Sequence, residues 1–451
     1  MRTFTFLILW LVVWPHAALA GARLSGSMLG PVSAETATIW VQADRKARLA
    51  VEYWPAATPA STRRSAPVDL DEASDFTAHV SLVALAPDSA WRYRILLDDQ
   101  PAGGEHGFRT LPLPRFGGAP FDFTVFLGSC AYLNDAAVDP PGKPYGGDPR
   151  IFDTIARAAQ AQTRPALMLW LGDHIYLRDA DLAHPWGMNR RWRAVRAAPE
   201  LQELLGALPH YAIWDDHDYG PNDSNRSFVF KAESRRLFQR YWANPGAGLP
   251  EAPATFTQFT IGDTAFFLLD DRTFRAADGM ADDPAKTLYG AAQLDWLKNA
   301  LMASRATFKI IAGGSQFLND ASRFEGWQHF PAERAAFLDW LALNRIDGVV
   351  FLSGDRHHSE LLRRERADSY ALHELTCSPL TSGVRAADGT ERDNPLRVPG
   401  TEVARHNYCT LAVEGPKAQR RLILSVFDAD GAPLWTHTLG AQALKTPPPA
   451  R

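Results

Sequence analysis

The sequence predicts an α/β protein in which a small antiparallel β-sandwich of immunoglobulin or fibronectin type precedes a layered α/β domain. Three observations carry this reading. From Gly21 to about Leu113, short runs alternate apolar and polar residues between turn signals, with no long amphipathic helix. From Pro120 onward, wholly apolar runs of strand length alternate with stretches of helix length. Between the two, LPLPRFGGAP has the Pro/Gly content of a linker or packing seam.

The 451 residues, 46% of them hydrophobic, are enough for one large core or two smaller ones. Acidic and basic residues are interspersed to a net charge of -4, without a basic stripe, so a nucleic-acid scaffold role is set aside. Residues 1–20 read as a cleavable signal peptide: Arg2, an apolar run from Phe4 to Trp14, then Ala18 and Ala20, with cleavage before Gly21. That run is shorter than the roughly 20 residues that span a bilayer. No stable membrane span is expected, and export places the chain in the periplasm or outside the cell. The arginine pair of a twin-arginine leader is absent.

Within residues 21–113 the sandwich strands are ATIWVQAD, ARLAVEYW, DFTAHVSLVAL and AWRYRILLD. Residues 120–440 form the second domain. Its strands are FDFTVFLGSC, PALMLWLGDHIY, HYAIWDDHDYG, FTQFTI, DTAFFLLDDR, TFKIIAGGS and GVVFLSGDRHH, and the helical stretches between them include MNRRWRAVRAAPELQELLGAL and KAESRRLFQRYW. Strand-like runs ALHELT, YCTLAVE and LILSVFDA close the domain, and residues 441–451, ending KTPPPAR, are expected to be disordered. Arg190, Arg191 and Arg193 are expected on a solvated helix face.

In layered α/β proteins, polar residues directly after buried strands line the crevice at the strand ends. Four apolar strands here end in chemistry: FLGSC, WLGDHIY, IWDDHDYG and FLSGDRHH. Each motif alone reads as a cap or turn; their recurrence suits a binuclear metal centre, where a shared carboxylate and hard ligands hold two cations. A structural zinc site would need close Cys/His spacing, which is missing. A G-x-S-x-G elbow is also missing, and Ser129, Ser315 and Ser353 have no ordered triad partner.

In order and separation, GSC, LGDHIY, WDDHDYG, LLDDRTFR and LSGDRHH resemble the catalytic core of the PhoD-like alkaline phosphatase family, a branch of the calcineurin-like metallophosphoesterases. GPVSAETATIWVQA resembles that family's N-terminal domain, and the likeness runs from about Gly30 to Phe427. The resemblance implies a four-layer α/β/β/α core and a binuclear centre of Fe(3+) with Ca(2+), other divalent cations being alternatives. It implies Cys130, Asp173, Tyr176 and His357 around the first metal, thiolate and phenolate suiting ferric iron. Asp173 would bridge to a second, oxygen-rich site with Asp216, Asp355 and, by proximity, Asn222. His217 would protonate the leaving group with Asp218 orienting its ring. Asn134 and Arg272 would bind phosphate or serve structure, a buried salt bridge being an equal reading for Arg272. His358 is left outside the ligand set.

The implied reaction is hydrolysis of a small phosphate ester by a metal-activated water. The same residues would serve a monoesterase, a phosphodiesterase or a phospholipase, and a non-catalytic extracellular binding protein with a degenerate site is the rival class. A monomer is the default. Of the three cysteines, Cys377 and Cys409 lie on neighbouring strand-like segments and could pair, leaving Cys130 free as a thiolate.

Overall fold

The structure is a computed structural model that describes residues 21–113, 120–367 and 369–447. The expected signal segment lies outside these residues. Among the described residues no helix is long and apolar enough to cross a membrane.

Strands form where the N-terminal alternation predicts them: Ala37–Ala43, Ala47–Pro55, Thr77–Leu82 and Ala90–Leu97. Leu24–Val32 pairs with the first of these, and the Gly-rich Gln100–Arg109 pairs with the last. Alternation along Ala37–Ala43 serves two cores at once. Ile39 and Val41 point into the sandwich, while Trp40 joins the helical layer of the second domain and donates from Nε1 to the Arg240 carbonyl at 2.9 Å. Contact is close enough that a Cβ at Gly26 would fall 2.5 Å from the Arg196 carbonyl oxygen. Asp75 completes the seam, accepting from Arg193 Nη1 at 3.1 Å and from the Tyr241 hydroxyl at 2.5 Å.

Two six-stranded sheets face each other behind the sandwich. In the first, His210–Ile213, Ala166–Leu171 and Phe123–Gly128 run parallel, and Asn407–Glu414, Arg421–Asp428 and Pro433–Gly440 extend it antiparallel. In the second, Thr264–Leu268, Phe308–Ala312, Val349–Ser353 and Leu372–Thr376 run parallel between antiparallel edges. Val125, Leu127, Leu169 and Leu171 face Phe266, Ile310 and Phe351 between the sheets, while Phe126, Met168 and Trp170 turn outward under helices Arg150–Gln160, Pro185–Arg196 and Lys231–Tyr241. Helices Ala291–Ala303 and Pro331–Leu343 cover the second sheet through Leu297, Leu301, Phe337 and Leu341. The result is the four-layer α/β/β/α arrangement.

Three expectations are corrected. The arginine-rich stretch is two helices, Pro185–Arg196 and Pro199–Ala207, because a residue before proline is driven out of the helical region; Ala198 has ψ 124°. Its arginines are not a solvated face: Arg191 is buried between Asp181 at 2.7 Å and Asp135 at 2.9 Å, and Arg193 reaches Asp75. Nor does the chain lose order at 441. Ala441–Leu444 forms a turn of 3-10 helix, Leu444 is buried, and Arg345 Nη2 donates to the Pro447 carbonyl at 2.7 Å. Cys377 and Cys409 are disulfide-bonded, and they join the two sheets rather than neighbours in one.

Buried His210 shows how this packing fixes protonation. Its Nδ1 accepts from Trp170 Nε1 at 3.0 Å, and Nε2 lies 3.0 Å from the Leu204 carbonyl, a pair only the neutral Nε2–H ring satisfies. Burial holds its pKa down at about 3. The native state therefore refuses a proton that the unfolded chain takes up, so the contribution is complete above about pH 6.5 and is lost as pH falls below it. Denaturant titrations at pH 7.5 and pH 5 should differ by about 2 kcal/mol from this group, and His210→Gln should narrow that difference.

Candidate metal centre

The three parallel strands of the first sheet end together, and Val349–Ser353 of the second ends against them. At Gly354 a Cβ would sit 2.2 Å from the Leu171 carbonyl oxygen, which is why that strand end carries glycine. Just beyond these ends, Cys130, Asp173, Asp355 and His357 all take positive φ, between 53° and 63°. Such values are uncommon outside glycine and gather at functional sites, where surrounding contacts hold them. The sharp reversal turns each side chain from the strand direction into one crevice.

Three clusters of donor atoms result, each within 4.8 Å: Asp215, Asp216 and Glu325, two of which Arg272 bonds, and two at the crevice, Cys130, Asp173 and His357, and Asp173, Asp216 and His217. Asp173 belongs to both crevice clusters. The Cys130 sulfur lies 3.6 Å from Asp173 Oδ2, and the Tyr176 hydroxyl donates to the same oxygen at 3.2 Å. Asp355 and the exposed Asn222 line the same pocket without entering either cluster. His217 does enter one, and its ring stacks on Tyr176 with centroids 4.3 Å apart.

Three residues expected at the chemistry stand behind or beside it. Asp218 does not orient His217. Its carboxylate accepts the backbone N–H groups of Asp173 at 2.7 Å, Ile175 at 2.7 Å and Asp215 at 3.0 Å, and lies 2.9 Å from His174 Nδ1. Arg272 is fully buried, donating to Asp215 at 2.7 Å and to both Glu325 oxygens at 2.9 and 2.7 Å, the salt-bridge alternative. Asn134 pins a loop by exchanging bonds with Gly146, both at 2.9 Å. His358 is buried, 3.7 Å from Glu360.

Partners that the motifs did not reveal come from the segment after Cys377. Ser378 Oγ lies 3.2 Å from the Cys130 sulfur, and Ser382 Oγ 3.3 Å from His357 Nε2. The signal was present, since SPLTSG also follows a buried strand, but hydroxyl and glycine residues there read as an ordinary turn.

Electrostatics test whether the donors fit a metal. Burial, then the charges of Asp216, Cys130, Asp218 and Asp355, push the Asp173 carboxyl well above the usual range. Burial likewise pushes the Cys130 thiol up to about 12, raises the Tyr176 phenol, and lifts Asp355 to about 7. Asp216 differs: burial opposes its ionisation, but His217, Arg272 and backbone N–H groups outweigh it and hold it at about 2. Its buried Oδ1 has no hydrogen-bond partner. Donors that resist their own ligating forms, around an orphaned carboxylate oxygen, need positive charge among them. Sulfur, phenol, imidazole and carboxylate on one side, and carboxylates on the other, fit two cations.

The centre opens into a pocket of ≈ 580 Å³. A cleft of ≈ 680 Å³ lies at the seam with the sandwich, lined by Tyr211 and Phe259, and holds none of these donors.

The PhoD-like phosphatase family model matches residues 129–411, and a domain of unknown function (DUF7800) matches residues 22–114. Alkaline phosphatase D of Bacillus subtilis (strain 168) is 25% identical over 334 residues, covering 63% of this chain and 53% of that protein. The chain thus spans about half the length of the curated relative it matches. Among solved structures, that of PhoD superposes with a TM-score of 0.73 at 18% identity, covering 92% of this chain and 91% of the other. Purple acid phosphatase PPD1 from yellow lupin (Lupinus luteus) seeds gives 0.66 at 11% identity, covering 92% and 74%. At these identities the structural likeness is one of fold.

Placing Arg272 behind the pocket has a measurable consequence. Arg272→Met leaves Asp215 buried without its cation and Glu325 with Arg275 alone, at 2.9 Å, and should lower stability by about 3–5 kcal/mol in denaturant titration. A purely substrate-binding arginine would instead raise KM at unchanged stability.

Proposed function

The chain belongs to the PhoD-like phosphatase family, and from that premise we propose that it is a metal-dependent phosphoric ester hydrolase acting on phosphate monoesters. The observation that carries this reading is Asp173, one buried carboxylate shared by two donor clusters at the floor of an open pocket. A pocket of ≈ 580 Å³ leaves room for a second substituent on phosphorus, which favours diesters as further substrates.

In this reading Cys130, Asp173, Tyr176 and His357 hold the first cation, and their anionic sulfur and phenol donors favour Fe(3+). Asp173, Asp216, Asp355 and Asn222 hold the second, and an all-oxygen set favours Ca(2+). A bound metal pair supplies Lewis acidity toward the phosphoryl oxygens and the attacking water. The residues do the rest. Asp218 fixes the turn that presents Asp173, through the N–H groups of Asp173 and Ile175. Asp223 N–H, donating to Asp216 Oδ2 at 2.7 Å, leaves the other Asp216 oxygen free for a cation. His217 lines the pocket beside both and gives its proton to the departing oxygen. The leader-like residues 1–20 support export, to the periplasm or beyond.

Metal removal tests the centre. Chelator treatment should abolish hydrolysis of a monoester and a diester, and Asp173→Asn should lower kcat/KM by more than about a hundredfold with loss of bound metal. Elemental analysis of the native protein should give iron and calcium; a stoichiometric zinc or manganese pair would overturn that assignment, and a metal-loaded protein inert on both esters would overturn the hydrolase.

His217 has its own test, because it also lies within ligand reach of Asp173 and Asp216. His217→Ala should lower kcat by about 100- to 10,000-fold on alkyl phosphates, far less on aryl phosphates whose leaving group needs no proton. Metal content should be unchanged. An equal loss on both substrates, with metal lost, would make His217 a ligand.

A further inference from the structure

The walls of the catalytic pocket are electrically unequal. Asp173, Asp216 and Asp355 line the floor, while Arg323, Arg356 and Arg385 surround Phe324, their guanidinium carbons 4.8, 4.7 and 4.4 Å from its ring centroid. Two of these charges are spent within the protein. Buried Arg356 donates to both Glu391 oxygens at 2.8 and 2.7 Å, and Arg323 pairs with Asp388 at 3.2 Å. Arg385 is exposed and has no carboxylate partner among the described residues.

Its position is set by the metal-ligand candidates themselves. Backbone N–H groups of Thr381 and Ser382 donate to the Cys130 carbonyl at 3.1 and 2.9 Å, and that of Arg385 to the His357 carbonyl at 3.0 Å. The segment is thus tied to the floor while Arg385 lines the pocket. Tyr145 lines the same pocket, half exposed, packed so closely on Gly383 that a Cβ there would lie 2.8 Å from its ring. One wall therefore joins the aromatic surfaces of Tyr145 and Phe324 to an uncompensated cation.

We propose that Arg385 is a specificity-determining residue that binds an anionic group on the leaving alcohol, with Tyr145 and Phe324 against the apolar part of the same group. The substrate class is a phosphoester whose organic part is aromatic or apolar and bears a second negative charge. This rests on the phosphoesterase reading, and it assigns the floor, where Asp173, Asp216 and His217 converge, to the reacting phosphoryl group. Arginine suits the task because its planar fork matches carboxylate and phosphate oxygens.

Steady-state kinetics on the metal-loaded full chain tests it, with p-nitrophenyl phosphate and a carboxylate-bearing nitrophenyl phosphate as substrates. Arg385→Gln should raise KM for the carboxylated ester about five- to tenfold with kcat nearly unchanged, and leave the uncharged leaving group within about twofold. Arg385→Lys should recover part of the loss, Arg385→Glu should deepen it, and added salt should narrow the wild-type preference. Unchanged hydrolysis of p-nitrophenyl phosphate by the same variants serves as the control for folding. Equal losses on both esters, or none on either, would overturn the proposal alone. A wild-type protein that turns over neither ester would remove the hydrolase reading and this inference with it.

Discussion

The centre depends on one carboxylate that faces no solvent and no substrate. Asp218 collects the N–H groups of Asp173, Ile175 and Asp215 and faces His174, so one side chain joins the turns that follow two parallel strands. Those turns run through left-handed backbone at Asp173, which a non-glycine residue adopts only when its surroundings impose it. His174 is held in turn by Trp242, whose Nε1 donates to its other nitrogen at 2.9 Å. With Nδ1 toward the carboxylate and Nε2 accepting, the ring is neutral, and burial lowers its pKa accordingly. Helical-layer packing is thereby transmitted to the geometry of Asp173.

A second constraint decides which acids are left for cations. Around the crevice lie more buried carboxylates than a protein tolerates unpaired. Arg272 neutralises Asp215 and, together with Arg275, Glu325, and Arg356 neutralises Glu391. Asp173 receives no arginine, only polar donors, and Asp216 keeps one oxygen without a partner. Removing a buried partner costs several kcal/mol, so the paired acids are structural and the unpaired ones require another source of positive charge. Adjacent Asp215 and Asp216 therefore differ in role because Arg272 donates to Asp215, whereas Asp216 accepts from the backbone N–H of Asp223.

How much of this could be read from residues alone follows from the range of each interaction. Strand ends are local: an apolar run closed by Gly-Asp or Gly-Ser-Cys announces itself and marks Cys130, Asp173, Asp215 to Asp218 and Asp355 to His358, while the family resemblance singles out Asp216 and His357 among them. Ion pairs between distant segments leave no such mark. Arg191 read as a solvated face because its partners Asp181 and Asp135 lie outside its helix, and Asp218 read as a partner of its neighbour His217 although it serves Asp173 from 45 positions away. Gln100–Arg109 escaped notice for a related reason: it is largely exposed and Gly-rich, so its strand character comes from pairing with Ala90–Leu97 rather than from its own alternation. Arg385 sits in a loop whose composition is that of any turn, and its place becomes visible only through the carbonyls of Cys130 and His357.

Three cysteines show how topology separates roles that residue counts leave mixed. Cys377 and Cys409 stand on facing sheets with Cα atoms 6.1 Å apart, within the span a disulfide closes, and each lies in the core between the sheets. Their bond consumes two of the three thiols. Cys130 remains, fully buried at the strand end, its sulfur approached by the hydroxyls of Ser129 at 3.4 Å and Ser378 at 3.2 Å. The Ser378 hydroxyl stabilises negative charge on sulfur while burial opposes it, so the thiol is shielded from solvent oxidants yet prepared for a cation. Ser378 follows Cys377 directly, and Ser129, the residue before Cys130, donates to the Cys377 carbonyl at 2.8 Å. The disulfide thus braces the segment that presents the free thiol, and the odd cysteine follows from that division between a structural pair and one thiol set among the candidate donors.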